Sequence, residues 1–249
     1  MPKILTEHSD ILREHDVEAM LTLIDELEKR KEPVIFKHTD EQGKERREPI
    51  TIHYKMIKAL ICIAYLFGKR ISEILPVKRK DVYTKRGYLY IRFLVLKKKT
   101  RESLAMPIMK VKRVSIKRQR QFVLPIIEYV QTLTLTEMPL FPGRSRPHKQ
   151  IVKVKDPKTG EIKKVYEYEV KHEGIMSRQH AYKIFKALNK EAYPHWFRHS
   201  LATQLSEDGA TGVELKHWFD WSRYDTAMRY VEGSPAMTKR ISDRKVGKQ

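Results

Sequence analysis

The chain has 249 residues, with 51 Lys plus Arg against 31 Asp plus Glu, a formal net charge of +20. That length suffices for one large domain or two small ones, with a core that needs neither disulfides nor a structural metal. The surplus charge is spread along the chain rather than gathered in a tail, which points to a polyanionic partner: nucleic acid first, an anionic membrane surface or RNA-bound ribosome as rivals.

In chain order, residues 10–32 place Val17, Met20, Leu21, Ile24 and Leu27 at helical spacing, so an amphipathic helix opens the chain. Residues 37–49 are charged with one glycine and are expected to form a loop. Helix resumes over 51–67, is punctuated at Gly68, and a short second helix over 70–75 stops at Pro76. The apolar run Met56–Phe67 is interrupted by Lys58 and is too short to span a bilayer. It holds the lone cysteine, Cys62, so no disulfide framework or Cys-based zinc site is available, and a reducing compartment fits. The opening MPKILTEHSD lacks a signal peptide's apolar stretch, so the expected location is cytoplasmic.

Tyr88, Tyr90, Phe93 and Val95 follow the turn-like Lys85-Arg86-Gly87, which predicts a strand over 88–96. A basic excursion covers 97–120, and helix is expected from Pro125 to Leu133. Residues 139–149 read as a Pro/Gly/Arg loop. Residues 151–170 form a hairpin around Asp156-Pro157-Lys158-Thr159-Gly160. Ser177 caps a helix over 178–190, Pro194 opens another over 194–206, and two shorter helices lie near 211–218 and 225–232.

The chemistry concentrates in Pro194-His195-Trp196-Phe197-Arg198-His199. On a helix, His195, Arg198 and His199 share one side, and His195 falls in the first turn, where free N–H groups and the helix dipole favour an anion. A zinc site is the competing reading of two histidines four apart. However, the zincin pattern needs Glu where Trp196 stands, and an arginine between the ligands opposes a dication. Trp221 lies 23 residues beyond Arg198, and Tyr230 nine further on; upstream stands Gly68-Lys69-Arg70-Ile71-Ser72-Glu73.

From about Ile57 to Val231, this ordered set resembles the tyrosine recombinases and phage-type integrases: an Arg in a G-x-R-x-S-E context, then H-x-x-R-H, then His or Trp, then a tyrosine nine residues later. The resemblance implies a mainly α catalytic domain with a small antiparallel β-sheet. It also implies cleavage by Tyr230 through a 3′-phosphotyrosyl link that releases a 5′-hydroxyl. Arg70 and Arg198 would hold the non-bridging oxygens, a task metal ions perform in many phosphoryl-transfer enzymes. Phenol has a pKa of about 10, so the nucleophile needs a base, for which His195 is the candidate. Trp221 would position the phosphate, with Glu73 and His199 supporting from behind.

The family also uses a lysine on a β-hairpin to protonate the leaving oxygen. Here Lys97, directly ending the strand, takes that part, with Lys98 and Lys99 as phosphate contacts; the choice among the three stays open. Arg144, Arg146, Arg178 and Gln179 are further expected DNA contacts. No cofactor or metal is expected.

The whole chain is expected to be one catalytic domain, with 1–50 as a leading helix and charged loop, 151–170 as an inserted hairpin, and no separate N-terminal core-binding domain. The expected partner is double-stranded DNA, bound by a chain that is monomeric alone and tetrameric on paired sites. The expected activity is site-specific breakage and rejoining, as integration, excision, inversion or resolution. Type IB topoisomerase-like relaxation and a non-catalytic DNA-binding protein of the same fold are the alternatives.

Overall fold

The apolar segment near residue 60 becomes the central helix of the molecule. In the computed structural model, which describes residues 11–39, 42–51, 53–95, 108–143, 147–155, 162–170, 174–232 and 242, helix α2 spans Tyr54–Phe67 and is buried from Met56 to Phe67 except at Lys58. A helix apolar on nearly all sides must be enclosed by others. Three of its neighbours are α1 (Glu14–Arg30), α4 (Arg120–Thr132) and α6 (Pro194–Glu207). Lys58 turns outward and pairs with Asp25 and Glu28 of α1. The segment before α1 is clasped to α6: the Leu12 N–H donates to Ser200 Oγ at 2.7 Å, and Arg13 pairs with Glu207 at 2.9 Å.

The remaining helices are α3 (Ile71–Ile74), α5 (Arg178–Leu188), α7 (Gly212–Phe219) and α8 (Tyr224–Val231). Ser177 caps α5 as expected, its Oγ accepting from the His180 N–H. Among the described residues three small antiparallel sheets accompany them: β1–β2 (Val34–Thr39, Glu45–Thr51), β3–β4–β5 (Val82–Lys85, Tyr88–Val95, Ile108–Ser115) and β6–β7 (Pro147–Lys155, Ile162–Val170). The last of these is the expected hairpin.

Several segments differ from the sequence expectation: β3 falls outside any expected strand, and β6 begins at Pro147, inside the expected 139–149 loop. Of residues 37–49, read as a loop, 37–39 belong to β1 and 45–49 to β2. The body of this hairpin is exposed and charged, but Val34 and Ile50 anchor it in the core and Lys183 of α5 pairs with Glu48. Residues 97–120, read as a basic excursion, contain strand β5 and the first residue of α4, which therefore begins before Pro125. Strand β5 escapes a hydrophobicity reading because its register runs against its apolarity. Lys112 pairs with Ile91 and Lys110 with Phe93, so the lysines share the inward face of β4. Met109 and Val111 face outward, 47% and 48% exposed. Among the described residues no helix is long and apolar enough to cross a membrane.

Candidate active site

Helix α2 stops at Gly68, whose φ of 54° is left-handed and therefore suited to glycine. A Cβ there would meet Phe219 at 2.7 Å and Leu201 at 3.0 Å, so the turn also needs the missing side chain for close approach to α6 and α7. The turn delivers Arg70 to the start of α3. Glu73 fixes it from beneath, one carboxylate oxygen accepting from Arg70 Nη1 at 2.9 Å and the other from its backbone N–H at 3.1 Å. Glu73 is buried while the Arg70 side chain is 47% exposed, so the carboxylate orients the guanidinium without covering it.

Pro194 starts α6, and the following turn carries His195, Arg198 and His199 on one side, as the helical spacing predicted. Arg198 is 3% exposed. Its Nη1 donates to the Gly68 carbonyl at 3.0 Å and its Nη2 to the Phe219 carbonyl at 2.6 Å, which leaves three of its five N–H donors for an anion. Burial, reinforced by the charge of Arg70, pulls its pKa down to about 10, still protonated at neutral pH. Burial, then Arg198 and Arg70, push His195 below its ordinary value. Three groups that bear on one another so unfavourably, with Glu73 alongside, make a site waiting for negative charge.

The fourth participant arrives on α8. Tyr230 is half-buried and stacks on Trp221, with ring centroids 5.3 Å apart and planes 7° from parallel. Its hydroxyl lies 3.1 Å from His199 Nδ1. Ser206 Oγ donates to the Tyr230 carbonyl at 2.6 Å and fixes that turn of backbone. Burial raises the Tyr230 pKa, against the opposing pull of Arg198 and Arg229. Arg198 also lies under Trp221, its guanidinium carbon 5.5 Å from the ring centroid.

Arg70, Glu73, His195, Arg198, His199, Trp221 and Tyr230, all singled out from sequence, thus converge. Sequence reasoning gave the proton-accepting part to His195 and put His199 behind it; the imidazole that meets the Tyr230 hydroxyl is that of His199. Arg178 and Gln179 are exposed at the start of α5. Lys97, Lys98, Lys99, Arg144 and Arg146 lie outside the described residues.

A cluster that sequence reasoning missed stands beside these groups. Lys69 is wholly buried; its Nζ donates to the Trp218 carbonyl at 3.0 Å and pairs with Asp220. Lys110 pairs with the same carboxylate at 2.5 Å, and Lys112 lies 3.9 Å from it while donating to the His217 carbonyl at 2.8 Å. Burial lowers the Lys69 pKa to about 8, with Asp220 opposing. Hydrogen bonds from Lys110 and Lys69 outweigh burial at Asp220 and hold its carboxyl below the usual range. Asp220 adopts a left-handed φ of 55° immediately before Trp221, as Lys69 immediately precedes Arg70. The one signal in the sequence was a lysine set between an apolar helix and an arginine.

A tyrosine held against an imidazole thus stands beside two guanidiniums and a second imidazole, on a mainly α fold with small antiparallel sheets. The chain belongs to the phage integrase family, whose model matches residues 12–237. No curated protein matches it at a significant level. Among solved structures it is similar to XerH site-specific recombinase bound to its difH substrate in a pre-cleavage complex, with a TM-score of 0.50 and 14% identity over 88% of this chain and 49% of that one. A post-cleavage complex of XerH with palindromic difH gives 0.50 and 14%, over 93% and 52%. The Tn1549 transposon integrase with transposon right end DNA gives 0.48 and 14%, over 95% and 66%. At such identities the likeness is one of fold, and the chain spans about half the length of the XerH chains.

Proposed function

We propose that this chain is a DNA strand transferase that cuts and rejoins duplex DNA at specific sites, as in integration, excision, inversion or resolution, with Tyr230 as its nucleophile. The observation that carries the reading is the Tyr230 hydroxyl held 3.1 Å from an imidazole within the Arg70–His195–Arg198 cluster. Family membership supports the same assignment.

In this reading Tyr230 Oη attacks a backbone phosphorus and forms a 3′-phosphotyrosyl bond while the bond to the 5′ oxygen breaks. Negative charge on the non-bridging oxygens is met by Arg70, by the unused donors of Arg198 and by His195. Preorganised donors of this kind act where charge develops and need no rearrangement during the reaction. Lys97 protonates the leaving 5′ oxygen, and Lys98 and Lys99 meet neighbouring phosphates. The chain acts as a single catalytic unit, monomeric alone and tetrameric on paired DNA sites.

The test is a suicide DNA substrate followed by denaturing electrophoresis. The unsubstituted chain should form a covalent adduct that survives excess EDTA. Tyr230→Phe should abolish the adduct and leave DNA affinity nearly unchanged. An adduct from Tyr230→Phe, or one that vanishes with chelator and returns with zinc or magnesium, would overturn the reading. Strand exchange between two sites, rather than relaxation of one supercoiled circle, separates a recombinase from a topoisomerase.

A further inference from the structure

His195 and His199 stand one turn apart on α6 and meet different surroundings. His195 is partly open to solvent and, besides its partial desolvation, is pressed electrostatically by Arg198 and Arg70, the groups that would hold a phosphate. His199 is half-buried, with its ring 5.3 Å from that of Tyr230 and its Nδ1 within hydrogen-bond reach of the hydroxyl. The stack on Trp221 restricts the phenol ring, and the Ser206 bond fixes the Tyr230 backbone, so this contact is held from two directions.

We propose that His199, through Nδ1, is the catalytic base that takes the phenolic proton as Tyr230 becomes a nucleophile, leaving His195 to the phosphate. The assignment rests on the reading of Tyr230 given above. The proton of Tyr230 Oη passes to Nδ1 as an Oη electron pair forms the bond to phosphorus. The bond from phosphorus to the 5′ oxygen breaks with its electron pair on that oxygen, which takes a proton from Lys97 or from water. Rejoining reverses each transfer: the 5′-hydroxyl attacks, Tyr230 leaves, and His199 returns the proton.

The role requires Nδ1 to be unprotonated, with the ring hydrogen on Nε2. Burial, then the neighbouring His195, lower the His199 pKa and so favour the neutral ring at neutral pH, of which the Nε2–H tautomer leaves Nδ1 free to accept from the tyrosine hydroxyl. Other charges bear on the phenol: Arg198 from α6 and Arg229 from α8 both favour the phenolate that the transfer creates. The short contact and the two arginines favour the transfer, whereas burial, which raises the Tyr230 pKa and lowers that of His199, opposes it until the phosphate is bound. A base in hydrogen-bond contact contributes typically about 10²–10⁴ in rate.

The deciding experiment is single-turnover adduct formation on a suicide substrate across pH, using the full chain and its His199→Ala, His199→Gln and His195→Ala variants, with DNA affinity measured alongside. His199→Ala and His199→Gln should each cleave at least about 10²-fold more slowly, with affinity within about twofold. The unsubstituted rate should fall in acid, at a pH below the ordinary histidine range because the His199 pKa is lowered. That limb should vanish in both His199 variants and persist in His195→Ala, and added imidazole should restore part of the His199→Ala rate.

Glutamine can hold the tyrosine hydroxyl but cannot take its proton. Wild-type cleavage by His199→Gln would therefore overturn the proposal, and that variant decides the matter if alanine prevents folding. An acid limb that vanishes with His195→Ala and stays in the His199 variants would overturn it equally. No adduct from the unsubstituted chain would overturn the Tyr230 reading and this one together, whereas an adduct indifferent to His199 would overturn this one alone.

Discussion

On one side of the 68–70 turn, Lys69, Lys110 and Lys112 gather round the carboxylate of Asp220; on the other, Arg70, His195 and Arg198 gather beside Glu73, with the Asp220 charge reaching Arg198 as well. Both clusters are cationic and both draw on residues next to each other in sequence. The first satisfies itself, because every lysine reaches the carboxylate and two also donate to carbonyls of α7. The second leaves an exposed guanidinium and unused donors. In a chain of net charge +20, a count of basic residues cannot tell these fates apart. What distinguishes the two is whether the cations spend their donors on the protein's own carboxylate and carbonyls or keep donors open to solvent.

The contrast within the anion cluster is the strongest lever. Arg198 is buried and anchors the Gly68 and Phe219 carbonyls, whereas Arg70 is half-exposed and held only at its base. Arg198→Ala should lose at least about 10³-fold in adduct formation and also destabilise the fold by about 3 kcal/mol, since two carbonyls lose their donors in the interior. Arg70→Ala should lose comparable rate with little change in unfolding midpoint. Suicide-substrate kinetics paired with urea denaturation would read both. A stable Arg198→Ala would show that its carbonyl contacts are dispensable, and an unfolded Arg70→Ala would show that the turn depends on it.

The lysine cluster is broken by Asp220→Asn. Removing the shared charge leaves Lys69 buried and uncompensated, which should cost about 3 kcal/mol; replacing Lys69 by Met as well should recover most of it. The sign with pH follows from the lowered carboxyl pKa. The contribution of Asp220 is complete above the range where an unfolded carboxyl ionises, about pH 4, and is lost as pH falls through the lower folded value. The stability gap between the chain and Asp220→Asn should therefore close in acid. A gap independent of pH would mean that the aspartate acts by shape rather than by charge.

This comparison also explains what the sequence made legible. The candidate site residues were readable because their spacing is set by local helices: one turn puts His195, Arg198 and His199 on a face, and the buried run of α2 marks where Arg70 must emerge. The helices from α5 to α8 were placed to within a residue or two for the same reason. Strand β5 was not readable, because Lys110 and Lys112 point inward toward a carboxylate more than 100 residues away, and no local pattern carries that partner. Hairpin β1–β2 was missed since its exposed charged body looks like a loop, while the core contacts that hold it lie at its ends. The contact between His199 and Tyr230 depends on how α8 packs against α6, which spacing alone does not fix.

The smallest effect belongs to a place where neither fate has been decided. Arg178 and Gln179 are exposed at the first turn of α5, where the helix dipole and free N–H groups already favour a phosphate and Ser177 satisfies the His180 N–H. If Arg178 meets a DNA phosphate, it displaces one condensed counterion, and each phosphate neutralised contributes about −0.9 to the slope of log affinity against log salt. Arg178→Ala should therefore make that slope shallower by about 0.9 and weaken binding about equally for target and random sequences, because a phosphate contact carries no sequence information. Gln179→Ala removes no charge and should leave the slope unchanged. Filter binding of both variants across salt concentrations measures this directly. Loss of preference for the target site in Gln179→Ala, at an unaltered slope, would move that residue from phosphate contact to base recognition. An unaltered slope in Arg178→Ala would mark the first turn of α5 as a solvated face that DNA does not reach.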